Sequence, residues 1–244
     1  ITLADYQESN YSDTATSDVS GSATWGSGNL IVVLGMSADN GTVAFNTPTA
    51  TGLTFAAVAG TPTNTASRAK AYAWTATAGS AGSGAITATH GGSNHDQGIS
   101  VFVYSGHGGL GATAISAALG ATTVQNLTRS GAGSHVVQIW GDWNAVNDVT
   151  NTWTPVGQTE REATFVSGLA TYFVANWGDQ GGSGSTNYGF TGHAGGAEMS
   201  ALTLEILDGA PPTITGCMLM QNGVDKYLLQ NGTLGFIFQG GGTC

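Results

Sequence analysis

From residue 20 to residue 207 the chain breaks into short runs of β-branched, aromatic and small residues. Each run is cut off by Gly, Pro, Asn or Asp, and no stretch sustains a helical period. The runs predict strands at 20–25, 30–36, 42–45, 53–59, 70–76, 85–89, 99–104, 124–127, 134–140, 153–156, 163–166, 170–177, 188–193 and 197–207. Leu30 to Leu34 is apolar at consecutive positions, as in a strand covered on both faces. Residues 112–119 are the one helix candidate, and residues 1–16 are polar and turn-rich, an arm or edge segment.

Strands this numerous predict an all-β fold, a jelly-roll-like antiparallel β-sandwich of two packed sheets with a small C-terminal β-repeat appendage. The composition agrees: 39 Gly, only 8% charged residues, and 41% hydrophobic residues with six Trp to fill a core. The paired prolines in Asp208-Gly-Ala-Pro-Pro cannot continue a sheet. The expected organisation is therefore a sandwich at 1–208, a linker at 209–212 and an assembly element at 213–244. With 244 residues, two small domains are also within reach.

The tail carries an internal repeat of period nine: Cys217-Met-Leu-Met-Gln-Asn-Gly, Lys226-Tyr-Leu-Leu-Gln-Asn-Gly, Gly235-Phe-Ile-Phe-Gln-Gly-Gly. Each copy reads as a short strand closed by a tight turn, with Asn-Gly at 222–223 and 231–232 supplying positive φ. Alternation puts Met218 and Met220, Tyr227 and Leu229, Phe236 and Phe238 on one face and leaves the other partly apolar. Three strands of this size cannot bury two apolar faces. They must dock on their own domain or on another chain, and the six residues named are the expected assembly contacts. Cys217 and Cys244 bracket the repeat. A disulfide between them would contribute about 3–4 kcal/mol; a link between chains and two free thiols are the alternatives.

Tandem copies of this aromatic-Leu-Leu-Gln-Asn-Gly type resemble the C-terminal tails of tailed-phage virion proteins, over residues 217–240. In the body, Tyr72-Ala-Trp74, Ala85-Ile-Thr-Ala-Thr89 and Val101-Phe-Val-Tyr-Ser-Gly106 resemble a β-sandwich pattern of phage and bacterial surface proteins. The resemblance implies a non-enzymatic virion structural protein, as capsid decoration, head fibre or tail-associated protein. It would be displayed on the virion exterior and assembled with other virion proteins and with copies of itself, trimers first. A secreted or surface carbohydrate-binding or adhesion module, contacting host glycans, is the alternative.

With five basic residues and net charge −10, no basic patch is available for nucleic acid, and no apolar run is long enough to enter a membrane. The chain begins at Ile1. Loss of the initiator Met alone is not expected before Ile, so a removed signal peptide or a maturation cleavage is expected.

Candidate sites are sparse, and the expectation is no catalytic residue, no cofactor and no resident metal. Gly106-His-Gly-Gly-Leu-Gly111 matches a dinucleotide fingerprint but lacks the βαβ context and the following acid, and reads as a glycine-rich loop. His90, His95 and Asp96 offer loop ligands of unspecific spacing. Asp142, Asn144, Asn147 and Asp148 form an oxygen-rich stretch, a calcium candidate against a solvated turn. Glu160 and Glu162 would share one face of a strand about 7 Å apart, with Arg161 between them suggesting a charged edge. Trp140, Trp143, Trp153 and Trp177 could stack on sugars or fill a core, and Trp143 is the expected loop residue and glycan contact.

Overall fold

The structure, a computed structural model, describes residues 1–9, 16–38, 44–63, 68–91, 96–118, 124–143, 152–166, 170–179, 181, 183–191, 199–209, 219–221 and 224–226. All of its regular elements are antiparallel strands. The chain separates into two compact units, Ile1–Gly209 and Ala210–Cys244.

The first half of the body contains β1 (Thr2–Glu8), β2 (Ser17–Trp25), β3 (Leu30–Ala38), β4 (Ala56–Ala57), β5 (Ala69–Thr77), β6 (Gly82–Thr89) and β7 (Asp96–Ser105). Five of them form a sheet in the order β1-β7-β3-β5-β4, and β2 pairs with β6 in a second, smaller sheet. The second half contains β8 (His107–Ala118), β9 (Gln125–Arg129), β10 (His135–Asp142), β11 (Thr152–Thr154), β12 (Gln158–Val166), β13 (Ala170–Trp177), β14 (Gly184–Thr191) and β15 (Met199–Asp208). Its sheets run β8-β15-β10-β13-β12 and β9-β14-β11.

The two halves are the same design. β1, β7, β3, β5 and β4 correspond in order to β8, β15, β10, β13 and β12, and β2-β6 to β9-β14. Register agrees as well as order. Val33 pairs with Trp74 and Val101, and its counterpart Gln138 pairs with Ala175 and Thr203. Both first strands carry a bulge at the matching place, beside Leu3 in β1 and opposite Leu204–Ile206 in β8. The turns before β3 and β10 also match. Gly26-Ser-Gly28-Asn29 and Gly131-Ala-Gly133-Ser134 each hold their third residue at positive φ, 77° and 75°. In each, the fourth side chain closes the turn: Gly26 N–H donates to Asn29 Oδ1 at 2.6 Å, and Ser134 Oγ–H donates to the Gly131 carbonyl at 3.0 Å.

Two sandwiches, four layers and three cores result. The large sheets face each other across a central core built from Val32, Leu34, Met36 and Phe102 on one side and Val137, Ile139, Val174, Leu202 and Leu204 on the other. Their opposite faces are covered by the small sheets. Trp25, Ile86 and Ala88 close one outer core over Val33, Trp74 and Val101. Leu127, Trp153, Tyr188 and Phe190 close the other over Trp140, Phe173 and Trp177. This explains the consecutive apolar run of β3: both of its faces are inside.

The expected all-β antiparallel sandwich is therefore present, twice over, where the sequence suggested one pair of sheets. The helix expected at 112–119 is a correction, for 112–118 lie in β8. Ladder bonds to β15 and the alternation of Thr113 and Ile115 outweigh the helix preference of its alanines. Residues 1–16 do supply an edge strand. Of the run at 53–59, Ala56–Ala57 alone is strand, and Phe45 makes an isolated bridge to His90. The edge strand β12 has a register shift between Glu160 and Glu162, leaving Arg161 as the extra residue. A bulge with charge on it blunts an edge against pairing with other chains.

In the central core Met36 meets Gly141, its own counterpart. A Cβ on Gly141 would stand 2.6 Å from Met36 Cγ. The contact sets a long side chain against a residue with none. We expect Gly141→Met to destabilise the body by overpacking, about 1–3 kcal/mol, and Met36→Gly to cost about 2–5 kcal/mol. The double variant Met36→Gly/Gly141→Met should lose clearly less than the sum in urea denaturation; strict additivity would contradict the paired positions.

Candidate functional site

The aromatic candidates are mostly structural. Trp140, Trp153 and Trp177 are buried in the second outer core, where Trp153 stands 4.8 Å from Phe190 and Trp177 donates from Nε1 to the Pro155 carbonyl at 2.8 Å. Trp143 is half-buried against the central core, with the Arg68 guanidinium 5.5 Å above its ring. A sugar stacking on that face would have to displace Arg68.

Asp142 is not on a loop. It belongs to β10, between Thr171 and Met199, and is fully buried. A calcium loop built around it therefore loses its first ligand to the strand; Asn144, Asn147 and Asp148 lie outside the described residues. So do His95, His193, Met218, Tyr227, Leu229, Phe236, Phe238, Cys217 and Cys244. Met220 lies in β16 (Leu219–Gln221), which pairs with β17 (Val224–Lys226) across residues 222–223. Glu160 and Glu162 oppose Ala175 and Val174, with the register shift of β12 between them.

The glycine motif at 106–111 resolves into separate demands of the backbone. Gly106 and Gly109 have φ of 65° and 97°, in the left-handed region. A Cβ on Gly108 would stand 2.7 Å from the Asp208 carbonyl oxygen, and a Cβ on Gly111 would collide with the Glu205 carboxylate. From His107 onward the motif is strand, not loop. His107 bridges to the first half: Nδ1 accepts from Gly109 N–H at 3.0 Å, and Nε2 meets the Gly28 carbonyl at 2.8 Å.

Glu205 was not singled out in the sequence, although an acid inside the apolar run of β15 is a readable signal. It is fully buried. Its carboxylate accepts from Ala112 N–H at 2.8 Å, Ser130 N–H at 3.0 Å, Gly131 N–H at 3.1 Å and Ser130 Oγ–H at 2.9 Å. Burial pushes its pKa up, but the amides of Ala112, Ser130 and Gly131 outweigh that and hold it below the usual carboxylate range. The first half closes the same seam differently: Asp5 on β1 accepts from Thr24 N–H of β2 at 2.7 Å.

A second polar cluster lies at one end of the first outer core. Asp18 of β2, His90 after β6, Gln97 of β7 and Ser9 after β1 are all buried. Ser9 Oγ accepts from Ile99 N–H at 2.9 Å and donates to Asp18 Oδ1 at 3.4 Å. His90 Nε2 lies 3.8 Å from Asp18 Oδ2 and meets the side-chain amide of Gln97. Phe45 packs edge-on against the imidazole at 5.7 Å. Burial raises the Asp18 carboxyl to about 7, against a smaller lowering by Ser9. The sequence signal for Asp18 was its place on the inward phase of an alternating strand, shared with Ala23 and Trp25 after the bulge.

A further buried polar network joins layers. Gln138 Nε2 donates to Thr203 Oγ1 at 2.9 Å and to the Tyr188 carbonyl at 3.2 Å, and Gln125 Nε2 donates to Ser116 Oγ and the Ala201 carbonyl, both at 3.1 Å. These bonds tie the second large sheet to its small one. Comparison with protein-family models, with curated proteins and with solved structures finds no match for this chain.

Two outcomes follow from the buried acids. For Asp18, the raised folded pKa means that its stability contribution is intact below the unfolded value near 4 and is lost as pH rises toward 7. Asp18→Asn should thus be more stable than wild type, by an amount that grows between pH 4 and 7 to at most about 4 kcal/mol and then levels. Calorimetry across pH 4–8 checks this. For Glu205 the sign reverses: its contribution is present above the unfolded pKa and lost as pH falls through the folded one. Glu205→Ala leaves buried amides unpaired and should cost about 3 kcal/mol or more at pH 7, with a smaller deficit under acid conditions.

Proposed function

We propose that the chain is a non-enzymatic structural protein of a tailed-phage virion, a β body displayed outward and assembled through its C-terminal repeat. The supporting observation is how the body is closed. All three of its cores are filled by its own residues, and its central sheets are covered on both faces. The tail is a separate compact unit whose repeat is rich in apolar residues, and β16 and β17 make a hairpin within it.

The ionisable groups at the seams support a mechanical role. Glu205 and Asp5 accept backbone N–H groups at the seams between sheets, as a rigid scaffold requires. Arg161 stacks over Tyr6 at 5.2 Å and donates from Nε to Asn176 Oδ1 at 2.6 Å, bridging the edge strands β1 and β12 of the two halves. On this reading copies meet through the tail, with Met218, Met220, Tyr227, Leu229, Phe236 and Phe238 as contacts and a homotrimer as the first expectation. Capsid decoration, head fibre and tail attachment are all compatible.

Sedimentation of the full chain against a variant lacking residues 211–244 tests the proposal. The full chain should form a defined oligomer, and the truncated body should remain folded and monomeric. An oligomer that survives truncation unchanged, or a full chain that stays monomeric at high concentration, would overturn it.

A further inference from the structure

The edges of the two large sheets are not alike. β1 carries Asp5 and Glu8 and a bulge beside Leu3. β12 carries Glu160, Arg161 and Glu162 with a bulge among them, and β4 is two residues long. Each of these devices discourages an edge from pairing with another chain. β8 has the opposite character. At 12 residues it is the longest described strand and it ends its sheet. From Gly108 to Thr128 the chain holds no charged residue and no proline. The register shifts of β8 lie opposite Leu204 to Asp208, whereas Thr113 to Ala118 run unbroken against Leu204 to Met199. Among the described residues, no strand pairs with its outer side.

The duplication shows how the two rims of the central core differ. Tyr6 and Glu8 pair with Phe102 and Ser100 in the first half; Thr113 and Ile115 pair with Leu204 and Leu202 at the matching places in the second. The β1 rim is closed by polar contacts. Tyr6 Oη–H donates to Glu8 Oε2 at 2.7 Å, and Arg161 of β12 lies over the Tyr6 ring. At the β8 rim Thr113 and Ile115 share a face and are both exposed, Ile115 by 38%. A Cβ on Gly60 would stand 2.7 Å from Ile115 Cδ1, so the first half meets this side chain with bare backbone. The β8 rim therefore offers an open edge with an apolar side chain on it, the kind of surface to which an extended segment adds as a further strand.

The tail supplies such a segment. The body ends at the corner where β8 begins: Asp208 pairs with His107, and Gly209 N–H donates to the Gly106 carbonyl at 2.8 Å. Ala210–Cys244 follow. Of the three repeat copies, the first is engaged with Val224–Lys226 in the β16–β17 hairpin, and the second begins at Lys226. The third, Phe236-Ile-Phe-Gln239, lies in a stretch without a charged side chain and is flanked by Gly235 and Gly240. We propose that residues 236–239 of one copy add as an antiparallel strand to Thr113–Ala118 of a second copy, with Phe236 and Phe238 on the face of Thr113 and Ile115. This sixth strand would extend the large sheet and cover its open rim. The contact is head-to-tail, and a head-to-tail contact that closes makes a ring, in keeping with a trimer. The inference rests on assembly through the tail and names the surface that receives it.

Sedimentation and amide hydrogen exchange test this on the full chain, its Thr113→Lys/Ile115→Lys variant and the chain lacking residues 211–244. Both lysines replace exposed residues, so the variant body should melt as wild type does. In the oligomer the amides of residues 113–118 should exchange at least about tenfold more slowly than in the truncated chain. The double Lys variant should associate at least about tenfold more weakly, because docking would bury its charges. Adding Phe236→Asp and Phe238→Asp to it should recover part of that loss, since opposite charges attract across paired strands; no recovery would overturn the third copy as the occupant. If the Lys variant assembles and exchanges like wild type, β8 is not the receptor, and this inference is refuted while assembly through the tail stands. Association that survives truncation but not the Lys substitutions would mean that β8 pairs with itself, and would overturn the tail as its partner. A monomeric full chain removes both readings at once.

Discussion

The packing of two five-stranded sheets face to face is the contact on which the rest of the body depends. Each large sheet is buried on both sides, because Leu30–Leu34, Ile99–Tyr104 and their counterparts in β10 and β15 give neither face to water. A sheet of that kind is stable only as an inner layer. The central core supplies one cover and the small outer sheet the other. Neither half could stop at its own sandwich, since its large sheet would then expose the face bearing Val32, Leu34 and Met36, or that bearing Val137, Ile139 and Leu202.

Duplication also explains where symmetry gives way. In the central core Met36 meets Gly141, its own counterpart, a long side chain against bare backbone. Elsewhere the two copies solve the same problems with different residues. The seam between large and small sheet is closed by Asp5 in one half and by Glu205 in the other. The first outer core carries an aspartate and a histidine at one end; the second is crossed by Gln125, Gln138 and Thr203. The shared features mark what the strand frame requires, and the divergent ones are where function can be sought.

Much of this was legible in the chain. The strands 30–36, 70–76, 99–104, 134–140 and 170–177 are long apolar or alternating runs, and each appears close to its expected place. The unusual run of β15 and the break after it were readable too. Failures came where a local pattern had two readings. Residues 112–118 are rich in alanine, and only pairing to β15 makes them strand. The glycines at 106–111 looked like one motif, yet Gly106 and Gly109 answer to φ, Gly108 to the Asp208 backbone and Gly111 to the Glu205 carboxylate. The duplication had a signature as well, Gly26-Ser-Gly-Asn-Leu-Ile-Val-Val against Gly131-Ala-Gly-Ser-His-Val-Val-Gln, but small glycine-bounded words recur by chance in a chain with 39 glycines.

By itself the sequence determined the secondary-structure class, the inward and outward phases of most strands, the break near residue 210 and the repeat in the tail. These are local properties: side-chain alternation, turn chemistry and spacing act over a few residues. Only the tertiary structure decided that there are two sandwiches with a common core, that Met36 faces Gly141, and that Asp18, His90 and Gln97 meet. Those facts join residues far apart in the chain. Alternation tells a strand which of its sides is apolar, but not which other sheet that side will meet.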